Sequence, residues 1–199
     1  NKQAQDKLEK IGIRIFTNNF VKEVTKTDIK CQSLIKQQSS NDKDISSPEY
    51  VTKLIPSTLT AWCAGIKANP LLKDIGLETS RLNQLIVTPS LQTTKDNNIF
   101  ALGDCSSVIL PNSTRPVPPT AQAAHQQGQF LRKAIKQHVL YPQTQLPEFQ
   151  YHDKGALVSL SHNDTVGKIF GSFYVYGLAA NLMYYSMYRF HQVELHGWF

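Results

Sequence analysis

A glycine and a carboxylate stand side by side at Gly103 and Asp104, directly after the apolar run 99–102. An apolar run bounded by turn-forming residues is typical of a short strand buried in a parallel sheet. Ligands of such sheets bind beyond the carboxyl ends of the strands, where glycine lets the backbone approach and a carboxylate accepts hydrogen bonds from sugar-type hydroxyls. The alternative is structural, with Gly103 easing a turn and Asp104 capping the next segment.

A helix is predicted over residues 121–138, because prolines between 116 and 119 forbid an earlier start and Thr120 is a suitable N-cap. Its first two turns carry Gln122, His125 and Gln126, whose spacing places them on one face. An imidazole titrates near neutral pH, so His125 can supply protons, although a packing or surface role is an equally good interpretation. The predicted packing face consists of small and apolar residues: Ala121, Ala124, Gly128, Leu131 and Ile135.

The chain has 199 residues, of which 41% are hydrophobic, so its composition is that of a folded globular protein. Its net charge of +6 is compatible with an anionic partner, but its 21 lysines and arginines are scattered. Aromatic residues concentrate near the C-terminus, away from the lysine-rich start. This disfavours nucleic acid and leaves an anionic membrane surface as the better interpretation. Three widely spaced cysteines lack zinc-binding spacing and favour free thiols in a reducing compartment.

Short segments make up the rest of the chain. A helix is predicted over residues 2–10, ending before Gly12, and one helical turn is predicted within 68–78. A polar loop spans residues 37–49. Strands are predicted at 13–19, 20–26, 50–56, 58–66 and 85–88, and short antiparallel strands at 149–171 with turns at 153–155 and 162–164.

The C-terminal segment 172–188 carries no formal charge and is rich in tyrosine. A spanning helix needs about 20 predominantly apolar residues, and Gly177, Asn181 and Ser186 interrupt this segment. Tyrosine concentrates where an apolar surface meets water, so a helix lying in a membrane interface or against a partner is favoured. A buried core helix is the alternative.

Four stretches together resemble one family. They are WCAGI at 62–66, IFALGD at 99–104, PPTAQAAHQQG at 118–128 and the terminal YSMYRFHQVELHGWF at 185–199. The chain resembles the C-terminal half of bacterial type II NADH dehydrogenases, the single-subunit, non-proton-pumping NADH:quinone oxidoreductases, from Leu8 to Trp198.

The resemblance implies an α/β fold, the C-terminal part of a flavoprotein with two dinucleotide-binding domains (the FAD/NAD(P)-binding fold). A short antiparallel hairpin and an amphipathic, aromatic-rich helix are expected to follow. Residues 1–56 would be the tail of the NADH-binding domain, and 57–147 the second part of the FAD-binding domain. Residues 148–199 would form the membrane-interface and quinone-side region.

The implied reaction is hydride transfer from NADH to FAD, followed by transfer of two electrons and two protons to a membrane quinone. The resemblance implies that Asp104 accepts a hydrogen bond from a ribityl hydroxyl of FAD. It also implies that the helix starting at Ala121 points its free backbone N–H groups at the flavin ring. The quinone side consists of Gln122 and Gln126, whose amides can bind a quinone carbonyl, with His125 as a proton source. The full set implied for FAD is Gly65, Gly103, Asp104, Thr120, Ala121 and Gln122.

The resemblance also implies a peripheral protein on the cytoplasmic face of the inner (plasma) membrane, with a homodimer as one possible assembly and no metal. The sequence contains neither of the two GxGxxG motifs that such flavoproteins use, and the chain looks truncated at both ends. We therefore expect this chain alone to hold no FAD and to lack NADH oxidation activity. A sulfide:quinone oxidoreductase, a disulfide reductase and a non-catalytic basic module for membrane surfaces are the alternatives.

Overall fold

A computed structural model describes residues 2–34, 50–161, 164–169, 171 and 173–198. The chain divides into two compact units. The first contains Asn1–Cys63, Ala156–Ile169 and Phe173–Phe199, and the second contains Ala64–Gly155 with Phe170–Ser172. The predicted loop at 37–49 lies outside the described residues.

The first unit begins with helix α1 (Lys2–Lys10), as predicted. Gly12 ends it with φ +87°, and its N–H donates to the carbonyl of Glu9 at 3.0 Å. The predicted strand at 13–19 is wrong over residues 13–18. Ile13 N–H bonds back to the carbonyl of Leu8 at 3.1 Å, and Asn18 turns the chain with φ 56°. Residues 13–18 therefore form the end of the helix and a turn, and strand pairing begins only at Asn19.

Three antiparallel strands follow in the order β1-β2-β3. They are β1 (Asn19–Val24), β2 (Asp28–Leu34) and β3 (Tyr50–Pro56). The central strand pairs Ile29 with Ile55 and Cys31 with Lys53. Cys31 is the buried residue of this strand, whereas the outer strands are mostly exposed. The prediction of a strand at 50–56 is confirmed, and that of a strand at 20–26 is confirmed over residues 20–24, since residues 25–27 form the turn before β2.

The first unit also contains the C-terminal strands and helix. Strands β6 (Gly155–Ser161), β7 (Asp164–Ile169) and β8 (Phe173–Tyr176) lie in the order β6-β7-β8, and β7 and β8 are antiparallel. Helix α4 (Gly177–His196) follows β8 directly. The prediction of one helical segment over 172–188 is wrong at its start, because residues 173–176 pair with β7 before the chain turns at Gly177. The predicted turn at 162–164 falls largely outside the described residues.

Helix α4 packs on β7 through a narrow stripe. Ala180 is fully buried, and Asn181 Oδ1 accepts a hydrogen bond from the buried Thr165 hydroxyl at 3.2 Å. Much of its remaining surface is apolar and exposed, including Leu178, Leu182 and Phe190. No helix in the described ranges is both long and apolar enough to cross a membrane.

The second unit is built around a small parallel sheet. Strand β4 (Leu85–Val87) pairs with β5 (Ser106–Val108) in parallel, and helix α3 (Ala121–Leu140) follows. The short helix α2 (Leu71–Asp74) confirms the predicted helical turn. The core residues come from the sheet, α3 and the loops around them: Leu85, Val87, Leu91, Ala101, Val108, Leu131, Ala134, Leu146 and Phe149.

Two predicted strands are absent from the described structure. Residues 57–69 form no strand, and within them Leu59 and Trp62 are 89% and 62% exposed, so the apolar run at 58–66 lacks the packing that stabilises a strand. Residues 99–102 make only a single bridge, between Phe100 and Gln92. Because Ile99 and Leu102 are exposed, this run is not buried on both sides as a central parallel strand would be.

Candidate functional site

The start of helix α3 is held by the cap that the sequence predicts. The Thr120 hydroxyl accepts a hydrogen bond from Ala123 N–H at 3.2 Å, and the Thr120 carbonyl accepts from Ala124 N–H at 2.9 Å. In the part of the chain that the structure describes, the N–H groups of Ala121 and Gln122 have no partner. These two donors, and the positive end of the helix dipole, therefore remain available to an electron-rich group.

The face that α3 buries differs from the predicted one. The buried residues are Ala123, Gln127, Leu131 and Ala134, whereas Ala121 and Ile135 are exposed. Compared with the predicted orientation, the helix is turned about its axis so that the polar Gln127 points inward. There its amide oxygen accepts a hydrogen bond from a backbone N–H. An apolar-periodicity argument could not find this residue, since a buried glutamine looks like a surface residue in sequence.

The backbone donor is Gly103. Its N–H donates to Gln127 Oε1 at 2.6 Å, and the backbone adopts φ +62°, a conformation that favours glycine. A Cβ at this position would lie 3.3 Å from the Cβ of Ala124. Glycine therefore permits both the turn and its close approach to α3.

Asp104 lies in the same short 3-10 turn, Gly103–Cys105, which precedes β5. The sequence predicts a parallel strand before the Gly-Asp pair. In the structure the parallel strand, β5, follows the pair instead. The Asp104 carbonyl accepts from Gln84 Nε2 at 3.2 Å, while no donor among the described residues reaches the exposed carboxylate. The carboxylate can therefore accept hydrogen bonds from a ligand.

Gln122 and Gln126 contact a different segment, residues 151–155, from another face of α3. Gln126 Nε2 donates to the carbonyl of His152 at 2.9 Å, and Gln126 Oε1 accepts from His152 N–H at 3.0 Å. Gln122 Oε1 accepts from Lys154 N–H at 2.9 Å, and Gln122 Nε2 lies 3.0 Å from the Tyr151 hydroxyl. The structure thus brings both glutamines to the first turns of α3, as predicted, and gives each one protein partners.

Two other predicted site residues are placed less centrally. The ring of His125 is half-buried, and its Nε2 lies 2.9 Å from Gln129 Nε2. Gly65 is exposed with φ +85°, and a Cβ there would meet no atom within 4 Å. The role of Gly65 in cofactor binding stays a prediction.

The tyrosines of α4 form a separate cluster in the first unit. Tyr184 donates a hydrogen bond to Tyr188 at 3.3 Å, and their ring centroids are 4.9 Å apart. This bond, with a smaller contribution from burial, raises the pKa of the Tyr184 hydroxyl above its ordinary value. All three cysteines are free, and no cluster of three metal-ligating side chains occurs in the described ranges.

A parallel sheet, a glycine turn packed on the next helix and a capped helix start with unpaired donors are common to dinucleotide-binding flavoproteins. The chain belongs to the pyridine nucleotide-disulphide oxidoreductase family, whose model matches residues 1–128.

Within that family, the chain is similar to type II NADH:quinone oxidoreductases. It is 43% identical to the enzyme of Haemophilus influenzae over 149 residues, which are 72% of this chain and 33% of the relative. It is 36% identical to that of Staphylococcus aureus strain NCTC 8325 over 112 residues, or 56% of this chain and 27% of the relative. The chain thus spans about a quarter to a third of the length of the curated relatives it matches. The resemblance seen in the sequence is confirmed.

Solved structures share the fold. NDH2 of Plasmodium falciparum in complex with NADH matches with a TM-score of 0.72 at 16% identity, covering 99% of this chain and 55% of that one. The sulfide:quinone oxidoreductase of Aquifex aeolicus matches with a TM-score of 0.66 at 15% identity, covering 95% and 43%. The predicted fold class, with its C-terminal strands and helix, is confirmed.

Proposed function

We propose that the whole protein is a type II NADH:quinone oxidoreductase. It would transfer a hydride from NADH to FAD, and two electrons and two protons onward to a membrane quinone. The observation that carries this proposal is the 43% identity over 149 residues to an enzyme of that name. Sulfide:quinone oxidoreductase is similar at 15% identity only, which supports a shared fold and gives no ground for proposing sulfide as a substrate of this protein.

The residues of the second unit fit FAD. Gly103 leaves no Cβ where the turn approaches Ala124, and the exposed Asp104 carboxylate has acceptor capacity for a sugar hydroxyl. The unpartnered N–H groups of Ala121 and Gln122 suit an electron-rich ring edge. These groups support the proposal that this part of the second unit contacts the ribityl chain and the ring edge of FAD.

FAD, when bound, supplies the chemistry that carries electrons between the two substrates. Asp104 would orient the ribityl chain, and Thr120 would keep the helix start in place by capping it. The small Ala121 would let the backbone approach the ring. A helix N-terminus stabilises nearby negative charge by about 0.3–1 kcal/mol when exposed, and by more when partly buried.

The quinone side would be formed by Gln122, His125 and Gln126. Support comes from their position in the first two turns of α3, close in sequence to the unpartnered N–H groups that are proposed to meet the flavin edge. A glutamine amide can donate to a quinone carbonyl, and the imidazole of His125 is the proposed proton source for the same oxygen.

The membrane contact is proposed for residues 148–199. Support comes from α4, where Leu178, Leu182 and Phe190 are 74%, 60% and 68% exposed, and from the net charge of +6. We propose peripheral attachment at the cytoplasmic face of the inner membrane, with NADH and quinone as partners and a homodimer as the assembly. Residues 1–56 and 57–147 would belong to the NADH-binding and FAD-binding domains.

The test uses the whole protein purified with and without added FAD. We expect flavin absorbance and NADH oxidation that depends on a water-soluble benzoquinone. Asp104→Ala should weaken FAD binding about 10–100-fold, because a charge-assisted hydrogen bond contributes about 1.5–3 kcal/mol. The control is Asp74→Ala, which removes an exposed carboxylate of α2 in the same unit.

Absence of quinone-dependent NADH oxidation in the flavin-loaded wild type would reject the proposed function. Equal flavin affinity in Asp104→Ala and Asp74→Ala would reject the role of Asp104 while leaving the reaction itself standing.

A further inference from the structure

Three buried polar side chains converge on the backbone of the turn Gly103–Cys105. Six polar side chains are buried in the part of the chain that the structure describes, and Gln84, Ser106 and Gln127 are half of them. Their exposed fractions are 7%, 5% and 2%. A buried amide or hydroxyl costs free energy unless it forms hydrogen bonds, and these three form theirs with the turn.

Each of the three side chains comes from a different element. Gln84, directly before β4, donates from Nε2 to the Asp104 carbonyl at 3.2 Å. Ser106, the first residue of β5, donates from its hydroxyl to the Gly103 carbonyl at 3.1 Å. Gln127, on the buried side of α3, accepts from Gly103 N–H at 2.6 Å. The turn is therefore fixed from the sheet and from the helix together.

The side chain of Asp104 contrasts with its backbone. The residue is exposed, and no donor among the described residues reaches its carboxylate, although a buried amide holds its carbonyl. A flexible turn would have to be ordered when a ligand binds, and that loss of freedom weakens affinity. A turn that is fixed beforehand avoids this cost and presents the carboxylate at a constant position.

We propose that Gln84, Ser106 and Gln127 are positioning residues for the flavin, and we call them the turn clamp. The clamp holds the backbone of Gly103–Cys105 so that the Asp104 carboxylate meets the sugar-type hydroxyls of FAD. This inference rests on the proposed function, in which Asp104 binds the ribityl chain. Because the three side chains act through the backbone of Asp104, their effect on FAD affinity requires that carboxylate.

The test measures the dissociation constant of FAD for the whole protein, from the fluorescence of free flavin at equilibrium over a dilution series. Gln127→Met and Gln84→Met keep the side-chain length but remove the hydrogen bonds to the turn. We expect each to raise the dissociation constant about fivefold, as loss of one hydrogen bond of ordinary strength requires. The two substitutions lie on different elements, so each tests the clamp independently if the other variant does not fold.

The matched control is Thr93→Val in the same unit. Thr93 is also 2% exposed, and its hydroxyl donates to the Asp96 carbonyl at 2.7 Å. The substitution keeps the shape of the side chain and removes a buried hydrogen bond outside the clamp. It should lower stability while leaving the dissociation constant of FAD unchanged.

A second set of variants separates positioning from a purely structural role. Without the carboxylate the clamp has nothing to position, so adding Gln127→Met or Gln84→Met to Asp104→Ala should change the dissociation constant less than twofold. A purely structural role predicts instead that the effects of the two substitutions multiply. Multiplied effects, or unchanged FAD affinity in both single variants, would overturn the proposal.

The outcome for the clamp is distinct from the outcome for the reaction. A flavin-loaded wild type that oxidises no NADH in the presence of quinone would reject the proposed function. The FAD affinities of the clamp variants would still decide whether the clamp exists. A wild type that binds no FAD would reject both.

Discussion

Gly103 shows how a single residue ties a turn to a helix. Three conditions act on this residue, and glycine meets them all. Its φ is positive, its N–H donates to Gln127, and a Cβ added to it would lie only 3.3 Å from the Cβ of Ala124. The importance of the Gly-Asp pair could be predicted from its residue types. Its partner Gln127 could not be predicted, because the contact joins positions 24 residues apart and does not show in any local sequence pattern.

Replacing this glycine tests those demands. Gly103→Ala should lower the free energy of unfolding by about 1–2 kcal/mol, because a Cβ is strained at positive φ and also crowds Ala124. Gly128→Ala is the control, since Gly128 lies inside α3 with open space around it, and it should raise stability by about 0.5–1 kcal/mol. Both values come from denaturant titration of the whole protein followed by circular dichroism. Equal effects of the two substitutions would contradict the strain argument.

The glutamines illustrate the same limit of sequence reasoning. The spacing of Gln122 and Gln126 correctly placed them together near the start of α3. The backbone of residues 151–155 that occupies their amides follows about 30 residues later, and no pattern in that stretch marks it as a partner. Tyr151 was missed as a candidate for the same reason.

Elements with strong local signals were predicted best. Helices α1 and α3 have a glycine stop or a proline-and-threonine start, and both were found. The apolar runs at 58–66 and 99–102 predict strands in the sequence, because a short apolar run without a packing partner has the same pattern as a buried one. The uncharged, tyrosine-rich pattern also predicts a helix over residues 173–176, whereas in the structure they pair with β7, a contact that the local sequence does not indicate.

Helix α4 leads to a prediction about membranes. Leu178→Glu and Leu182→Glu should each reduce binding of the whole protein to anionic phospholipid vesicles at least about 10-fold, because burial of a leucine contributes about 1.5–3 kcal/mol. Gln192→Glu adds the same charge to the same exposed helix without removing an apolar side chain, and it should have a much smaller effect. Vesicle flotation measures all three. Binding that depends on salt alone, with the leucine variants equal to the control, would indicate a purely electrostatic contact.

At the scale of the whole molecule, the chain combines a family match over residues 1–128 with the absence of any GxGxxG motif. Its composition and charge predicted a folded, basic protein, but they contain no information about the division into two units. The first unit combines residues from the start of the chain with residues from its end. Such a grouping of distant segments cannot be derived from local periodicity.

The missing phosphate-binding motif has a direct consequence. We expect the 199-residue chain, incubated with excess FAD and desalted, to retain no flavin absorbance, because nothing in its sequence replaces the glycine-rich turn that binds the pyrophosphate. The whole protein treated in the same way is the positive control. Stoichiometric flavin on the isolated chain would show that Asp104 and the start of α3 suffice for binding.

Helix α3 has the Gly103–Cys105 turn on one face and residues 151–155 on another, both within its first two turns. An α-helix with its side chains is a rigid rod about 10–12 Å thick. If the ribityl chain contacts the first segment and the electron acceptor lies near the second, one rigid helix holds both binding segments in place. No loop closure would then be needed to hold the two redox partners at a constant separation.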